Sequence, residues 1–168
     1  MAMQGKRGMK LENIIAYAND NYKQRGIARI DKIPTPTVVT GKSGNRINSG
    51  FYSQKSTVDY TGVLLGGQFV AFDCKQTSGK RLPLGNISEH QMRYMEDVQR
   101  MGGIAFLVIY FQDCDMFFRL GYAKLHDYWI QYNKNPGRRG YGSIPLEDMG
   151  KPLGPDTGIV LHYLKGLI

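Results

Sequence analysis

The stretch TVDYTGVLLGGQFVAFDCK, residues 57–75, decides the fold. Two apolar runs, Thr57 to Leu64 and Gln68 to Lys75, flank the glycine pair Gly66-Gly67. That pattern predicts a β-hairpin, because glycine supplies the positive φ that tight hairpin loops require. Carboxylates interrupt both runs: Asp59 on the first and Asp73 on the second, with Lys75 two residues further on. Side chains alternate along a strand, so Asp73 and Lys75 share a face. Whether Asp59 joins them depends on register. A two-residue loop, Gly66-Gly67, opposes Asp59 to Cys74 and sends the carboxylates to opposite faces. A three-residue loop, Leu65-Gly66-Gly67, pairs Leu64 with Gln68 and sets Asp59 opposite Asp73, with Gly67 as the left-handed third residue. Val63, Phe69 and Ala71 then make the same face apolar toward the turn, core at one end and acidic at the other.

Two carboxylates side by side repel unless a cation or a proton sits between them. A hard ion such as Mg²⁺ takes carboxylate, water and phosphate oxygens, so a phosphodiester completes its shell. Lys75 then stands ready to stabilise an attacking hydroxide or the charge developing on the phosphate. A surface hairpin with ordinary charges carries the same D-x(13)-D-x-K spacing, so the spacing alone does not decide between the two.

Upstream, Leu11, Ile14, Ile15, Ala18 and Tyr22 fall on one helical stripe, and Gly26 is a suitable stop. Ile27 to Ile33 predicts a strand, ended by Pro34 and Pro36. Residues 37–56 are the least regular stretch, carrying Lys42, Arg46 and Lys55 among Gly41, Gly44, Gly50, Phe51 and Tyr52. Only Thr37 to Thr40 look strand-like there, and so long an excursion is either functional or disordered. Downstream, a loop from Gln76 to Ile87 leads into a helix starting at Ser88. Ser88 and Gln91 have capping-box spacing, with Met92, Met95, Val98 and Met101 on one face. Ile104 to Phe111 is a nearly continuous apolar run, the mark of a strand covered on both sides, and Met116 to Leu120 can pair with it. Tyr122 to Tyr132 predicts a helix, Asn133 to Tyr141 a basic loop, and Gly158 to Leu164 a final strand. The order implies an α/β sandwich in one domain spanning residues 1–168.

Charge narrows the function classes. The chain has 22 Lys and Arg against 14 acids, a net of +8. Residues 1–56 hold ten of the basic residues and three acids, so the excess is concentrated in the first third, where Arg7 and Lys10 lie. Such a concentration fits a polyanion, most often nucleic acid, and also fits a solubilising surface. No run approaches the ~18 apolar residues of a membrane span, and no apolar segment follows the early basic residues as a secretory signal needs. Two cysteines, Cys74 and Cys114, are too few for a disulfide scaffold, and a cytoplasmic setting is expected. Thr40-Gly41-Lys42-Ser43 imitates the end of a phosphate-binding loop, but Pro36 stands where its first glycine belongs, so no nucleotide cofactor is expected. His90, His126 and His162 lack the spacing of a metal motif.

Five segments in order carry a resemblance: KRGMKLE (6–12), KIPTP (32–36), STVDYTG (56–62), FDCKQT (72–77) and PLGNISEHQMRYM (83–95). Together they resemble the RecU-type Holliday junction resolvases of Gram-positive bacteria and their phages, in the PD-(D/E)xK nuclease superfamily. The resemblance implies a restriction-endonuclease-like mixed sheet flanked by helices, with a projecting basic stalk at 37–56. It places the metal carboxylates on Asp59 and Asp73, the catalytic lysine on Lys75, and supporting roles on Gln91 and Glu12. It implies a homodimer cutting four-way junction DNA with Mg²⁺, Mn²⁺ being the alternative ion, to leave 5′-phosphate and 3′-hydroxyl ends. Arg7, Lys10, Lys42, Arg46 and Lys55 are then candidate DNA contacts, with Phe51 and Tyr52 stacking on exposed bases. The chain departs from the family in carrying Asp73 for the usual Glu, and Val58 where Thr is common before the first aspartate. Each assignment has a plain counterpart: Gln91 as a cap only, Glu12 as a solvated helix charge, Lys75 as an edge gatekeeper. The rival functions are a nuclease acting on flap or duplex DNA and a basic DNA-binding module without catalysis.

Overall fold

A computed structural model describes residues 4–34, 37–43, 46–52 and 57–168, with side chains described for residues 10–34 and 57–168. Helix α1 (Gln4–Gln24) precedes strand β1 (Ala28–Lys32). Strands β2 (Thr37–Ser43) and β3 (Arg46–Tyr52) follow, then β4 (Tyr60–Leu64) and β5 (Phe69–Thr77). A short β6 (Arg81–Pro83) leads through a 3₁₀ turn, Leu84–Asn86, into α2 (Glu89–Arg100). The chain closes with β7 (Ile104–Phe111), β8 (Met116–Gly121), α3 (Tyr122–Lys134), β9 (Ser143–Pro145) and an irregular C-terminal segment.

Five strands form one sheet in the order β1-β4-β5-β7-β8, mixed because β5 and β7 run parallel while the other neighbours are antiparallel. A parallel pair needs a crossover, and α2 supplies it. Every residue of β7 after Ile104 is buried, since helices cover both faces of the sheet, so its sequence does not alternate. On one face, Leu11, Ile15, Ala18 and Tyr22 of α1 meet Val70, Phe72, Phe106 and Tyr163. On the other, Met92 and Met95 of α2 and Leu125 of α3 meet Ala71, Leu107 and Ile109. Tyr60, Phe72 and Phe106, neighbours across three strands, stack with centroids 4.9 Å apart at each step. This cross-strand stacking pins the register of the site-bearing strands.

The hairpin takes the three-residue loop. Val63 pairs with Phe69 and Tyr60 with Phe72, Leu64 N–H donates to Gln68 O at 2.9 Å, and Gly67 has φ +92°. Strand β4 starts at Tyr60, three residues later than Thr57, because the chain bends at Asp59. The turn end of its face is not core: Val63 and Phe69 are each about two-fifths exposed, and only Ala71 is buried. Met101 likewise leaves the buried face of α2, serving as its exposed C-cap.

Two further departures have physical causes. Strands β2 and β3 form their own antiparallel two-stranded sheet, where only Thr37 to Thr40 had strand character by sequence. A register shift around Gly41 breaks the alternation that would have marked it. Conversely, Gly158 to Leu164 is not a strand. Ile159, Leu161, Tyr163 and Leu164 are buried as a strand's would be, but side chains satisfy part of their backbone. Arg119 donates to the carbonyls of Tyr163 (2.8 Å) and Lys165 (2.9 Å), and the Tyr22 hydroxyl accepts from Leu164 N–H. Sheet-like burial is thus achieved without a ladder.

Candidate active site

Asp73 and Lys75 lie on β5, on the face that α2 covers, and α2 begins close enough to bring Gln91 to both. The Asp73 side chain is 1% exposed, and its Oδ1 accepts a 3.0 Å hydrogen bond from Gln91 Nε2. Lys75 Nζ stands 2.7 Å from Asp73 Oδ2, so the ammonium is the partner of that buried oxygen. Gln91 Oε1 accepts from Lys75 Nζ at 3.3 Å and from Ser88 N–H at 3.1 Å. Gln91 therefore closes the capping box of α2 and ties the site's acid to its base.

Asp59 approaches from the neighbouring strand end. Its Oδ2 accepts from Cys74 N–H at 2.9 Å, which holds the carboxylate at the edge of β5 beside Asp73. Burial pushes the Asp73 carboxyl up, and the Asp59 charge pushes it further. The Lys75 ammonium opposes both, leaving the group at about 6. Burial also raises the Cys74 thiol well above its usual range, so Cys74 stays neutral and brings no charge to the cluster.

Glu12 is carried by α1, on the other face of β5. It lines a cavity of about 150 Å³ with Leu11, Lys32, Asp59, Tyr60, Cys74 and Gln76, and its carboxylate is paired with Lys32 at 2.8 Å. Asp59 thus connects two groups, Asp73–Lys75–Gln91 and Glu12–Lys32. Gln76 was not anticipated: its Oε1 is buried in that region without a hydrogen-bond partner. The only sequence signal for it is its place directly after Lys75, since a lone glutamine has no spacing rule.

Of the candidate DNA contacts, Lys10 is already engaged, donating to Tyr110 Oη at 3.0 Å and Asp115 Oδ1 at 2.6 Å. Arg7 lies on α1, and Lys42, Arg46, Phe51 and Tyr52 lie on the β2–β3 hairpin, all with side chains outside those described. Lys55 lies outside the described residues. The backbone register separates the two kinds of residue. Ser43 pairs with Arg46, with Lys42 beside it, at the connection, whereas Phe51 and Tyr52 pair with Val38 and Thr37 at the opposite end.

The donor set fits a hard divalent ion. Both carboxylates offer oxygen, they lie close enough for the Asp59 charge to raise Asp73, and Asp73 stays charged at neutral pH only against an opposing burial cost. Among the described residues no group of three His, Cys, Asp or Glu side chains converges on one point.

Comparison with known proteins gives one family. Residues 6–168 match the family RecU, Recombination protein U. The Holliday junction resolvase RecU of Pediococcus pentosaceus is 36% identical over 172 aligned positions, covering 97% of this chain and 83% of that protein. That of Limosilactobacillus reuteri is 35% identical over 168 positions, covering 96% of this chain and 78% of the relative. The Staphylococcus saprophyticus protein of the same name is 39% identical over 134 positions, 76% of this chain and 64% of that one.

Proposed function

The chain belongs to the RecU, Recombination protein U, family, and from that membership we infer that it is an endonuclease that resolves Holliday junctions, with Asp59, Asp73 and Lys75 as its catalytic cluster. The observation that carries the site assignment is the buried Asp73 carboxylate, set beside Asp59 with one oxygen held by Gln91 and the other 2.7 Å from the Lys75 ammonium. Burying such a group beside a second carboxylate costs stability, and carboxylates held against that cost cluster at functional sites. Asp59 and Asp73 would hold Mg²⁺, with Mn²⁺ as the alternative. The bound ion supplies positive charge against a scissile phosphate and makes a water acidic enough to lose a proton near neutral pH.

The protein's own groups do the rest. Lys75, held by Asp73 and Gln91, presents a fixed ammonium to the charge that grows on the phosphate. Gln91 orients both partners through one amide: its Nε2–H holds the Asp73 oxygen, and its Oε1 holds the Lys75 proton. Because Ser88 N–H shares that Oε1, the start of α2 sets the position of the amide. Cys74 N–H fixes the Asp59 carboxylate, so neither acid has to reorganise when an ion arrives. Glu12 and Lys32 flank Asp59 from the opposite face and would order water there.

A four-way junction is cut on two strands related by symmetry, which a two-fold dimer of this chain, acting in the cytoplasm, would match. The test is to incubate the protein with an immobile four-way junction, a flap and a plain duplex, each with Mg²⁺ and with EDTA. Paired nicks in the junction, dependent on Mg²⁺, support the reading. Preferential cutting of the flap or duplex assigns the site to another substrate.

A further inference from the structure

Three cations stand together where α3 ends and the chain runs on to β9, on a segment that the catalytic cluster does not use. From the last two residues of α3 to β9 the chain reads NKNPGRRGYG, residues 133–142, with Lys134, Arg138 and Arg139 and no acid. All three are exposed, and none has an ion-pair partner among the described residues. By contrast, the cations of α2 are neutralised within one turn, Arg93 by Glu89 and Arg100 by Asp97. The loop is also built rather than loose. Arg138 N–H donates to Asn135 O at 3.1 Å, the Arg138 guanidinium lies 5.7 Å from the Tyr141 ring centroid, and Leu84 N–H donates to Gly142 O at 2.9 Å.

That last bond places the loop. Leu84 belongs to the 3₁₀ turn that joins the strand of Lys75 to the helix of Gln91, by way of β6. Strand β9, directly after the loop, pairs with β6, Leu82 opposite Ile144. Tyr132, at the end of α3, packs beside Gly85 of the same turn. The loop is therefore anchored on the α2 face of the sheet, beside the segment that positions Lys75 and Gln91. The concentrated charge of the first third enters from elsewhere, on α1 and the β2–β3 hairpin.

We propose that loop 133–142 is a second DNA surface, in which Lys134, Arg138 and Arg139 hold the phosphate backbone of a double-stranded arm. This rests on the nuclease reading for its substrate, but not on the assignment of the metal site. Unpaired cations held in a fixed loop suit phosphates, which are bound by charge and without base sequence. An arm held here is gripped next to the active cluster, while the hairpin is left to meet the junction itself. Contacts to an arm must serve duplex and junction alike, which distinguishes this surface from a junction-reading element.

The test measures binding of a labelled duplex and a labelled four-way junction, in EDTA, across a salt series. Arg138→Ala/Arg139→Ala is compared with wild type and with Lys124→Ala/Lys151→Ala, an equal loss of charge at two other exposed lysines. The expected result is weaker binding of both DNAs and a log–log salt slope shallower by about 1.8, from ~0.9 per lost phosphate contact, with the control pair near wild type. An unchanged slope overturns the proposal, and so does an equal change in the control pair, which would reduce the effect to bulk charge. Arg139→Glu checks the result without removing the Arg138–Tyr141 contact and should weaken binding of both DNAs. Cleavage of the junction by wild type with Mg²⁺ is read separately: its absence removes the nuclease reading, whereas intact cleavage beside unaltered variant binding removes only the loop.

Discussion

Asp73 is a carboxylate whose charge the fold opposes. Its folded value, raised to about 6, lies above that of an unfolded aspartate near 4. The neutral form is therefore the one that favours folding. Its stabilising contribution is complete below about pH 4 and is lost as pH rises through about 6. Mg²⁺ reverses this by binding the charged form, so it should raise the melting temperature by several degrees at pH 8 and by far less at pH 5. In Asp73→Asn the pH-dependent gain should disappear; an equal Mg²⁺ shift at both pH values in wild type would count against Asp73 as a ligand. Lys75→Ala should reduce cleavage by at least a hundredfold with DNA binding retained, because it removes charge stabilisation and leaves the acids in place. The pair Asp73 and Lys75 was legible from strand alternation alone, and Asp59 became legible once a loop length was chosen. The link between Asp59 and Glu12 across one cavity was not, since it depends on how α1 packs. Gln76 was invisible for the same reason: burial of one amide oxygen is a tertiary fact.

At the scale of elements, α2 joins stability to chemistry through Gln91. Ser88→Ala removes only the capping side chain and should cost ~1 kcal/mol, read from the urea midpoint, with cleavage near wild type. Gln91→Ala should cost a similar amount and also lower cleavage, because it frees Lys75 and Asp73 as well as the helix start. Equal cleavage in the two variants would make Gln91 a cap and nothing more. Strand β4 has its own constraint at Gly62, where a Cβ would lie 2.1 Å from Arg29 O and 2.9 Å from Ile30 Cα. Those atoms are backbone and cannot turn aside, so Gly62→Ala should destabilise by at least 1–3 kcal/mol by forcing β1 from β4. Helices α1 and α2 were legible because burial follows period, and β7 because an unbroken apolar run marks a strand covered on both faces. Residues 158–164 misled because apolar character reports burial and not hydrogen bonding: Arg119 and Tyr22 supply partners that a ladder would otherwise provide. Strands β6 and β9, three residues each, are too short to show any period.

Over the whole molecule the basic excess is divided among α1, the β2–β3 hairpin and the segment after α3, around a sheet that carries Asp73 on its middle strand, with Asp59 just ahead of β4. The sequence marked Asn133 to Tyr141 as a basic loop but gave it no role, because the acids elsewhere in the last two thirds bring the net charge there close to zero. Lys42 and Arg46 flank the hairpin connection, so Lys42→Ala/Arg46→Ala should weaken junction binding more than duplex binding and flatten its salt slope by ~0.9 per lost contact. Equal losses on both DNAs would reduce the hairpin to general electrostatics. The central claim is that DNA is bound by these outlying cations and cut at the buried carboxylates. It is tested most directly by comparing wild type with Asp73→Asn on an immobile four-way junction in Mg²⁺, with binding followed on the same samples. The account predicts paired nicks by wild type and none by Asp73→Asn at undiminished affinity; cutting by Asp73→Asn at near the wild-type rate would contradict it.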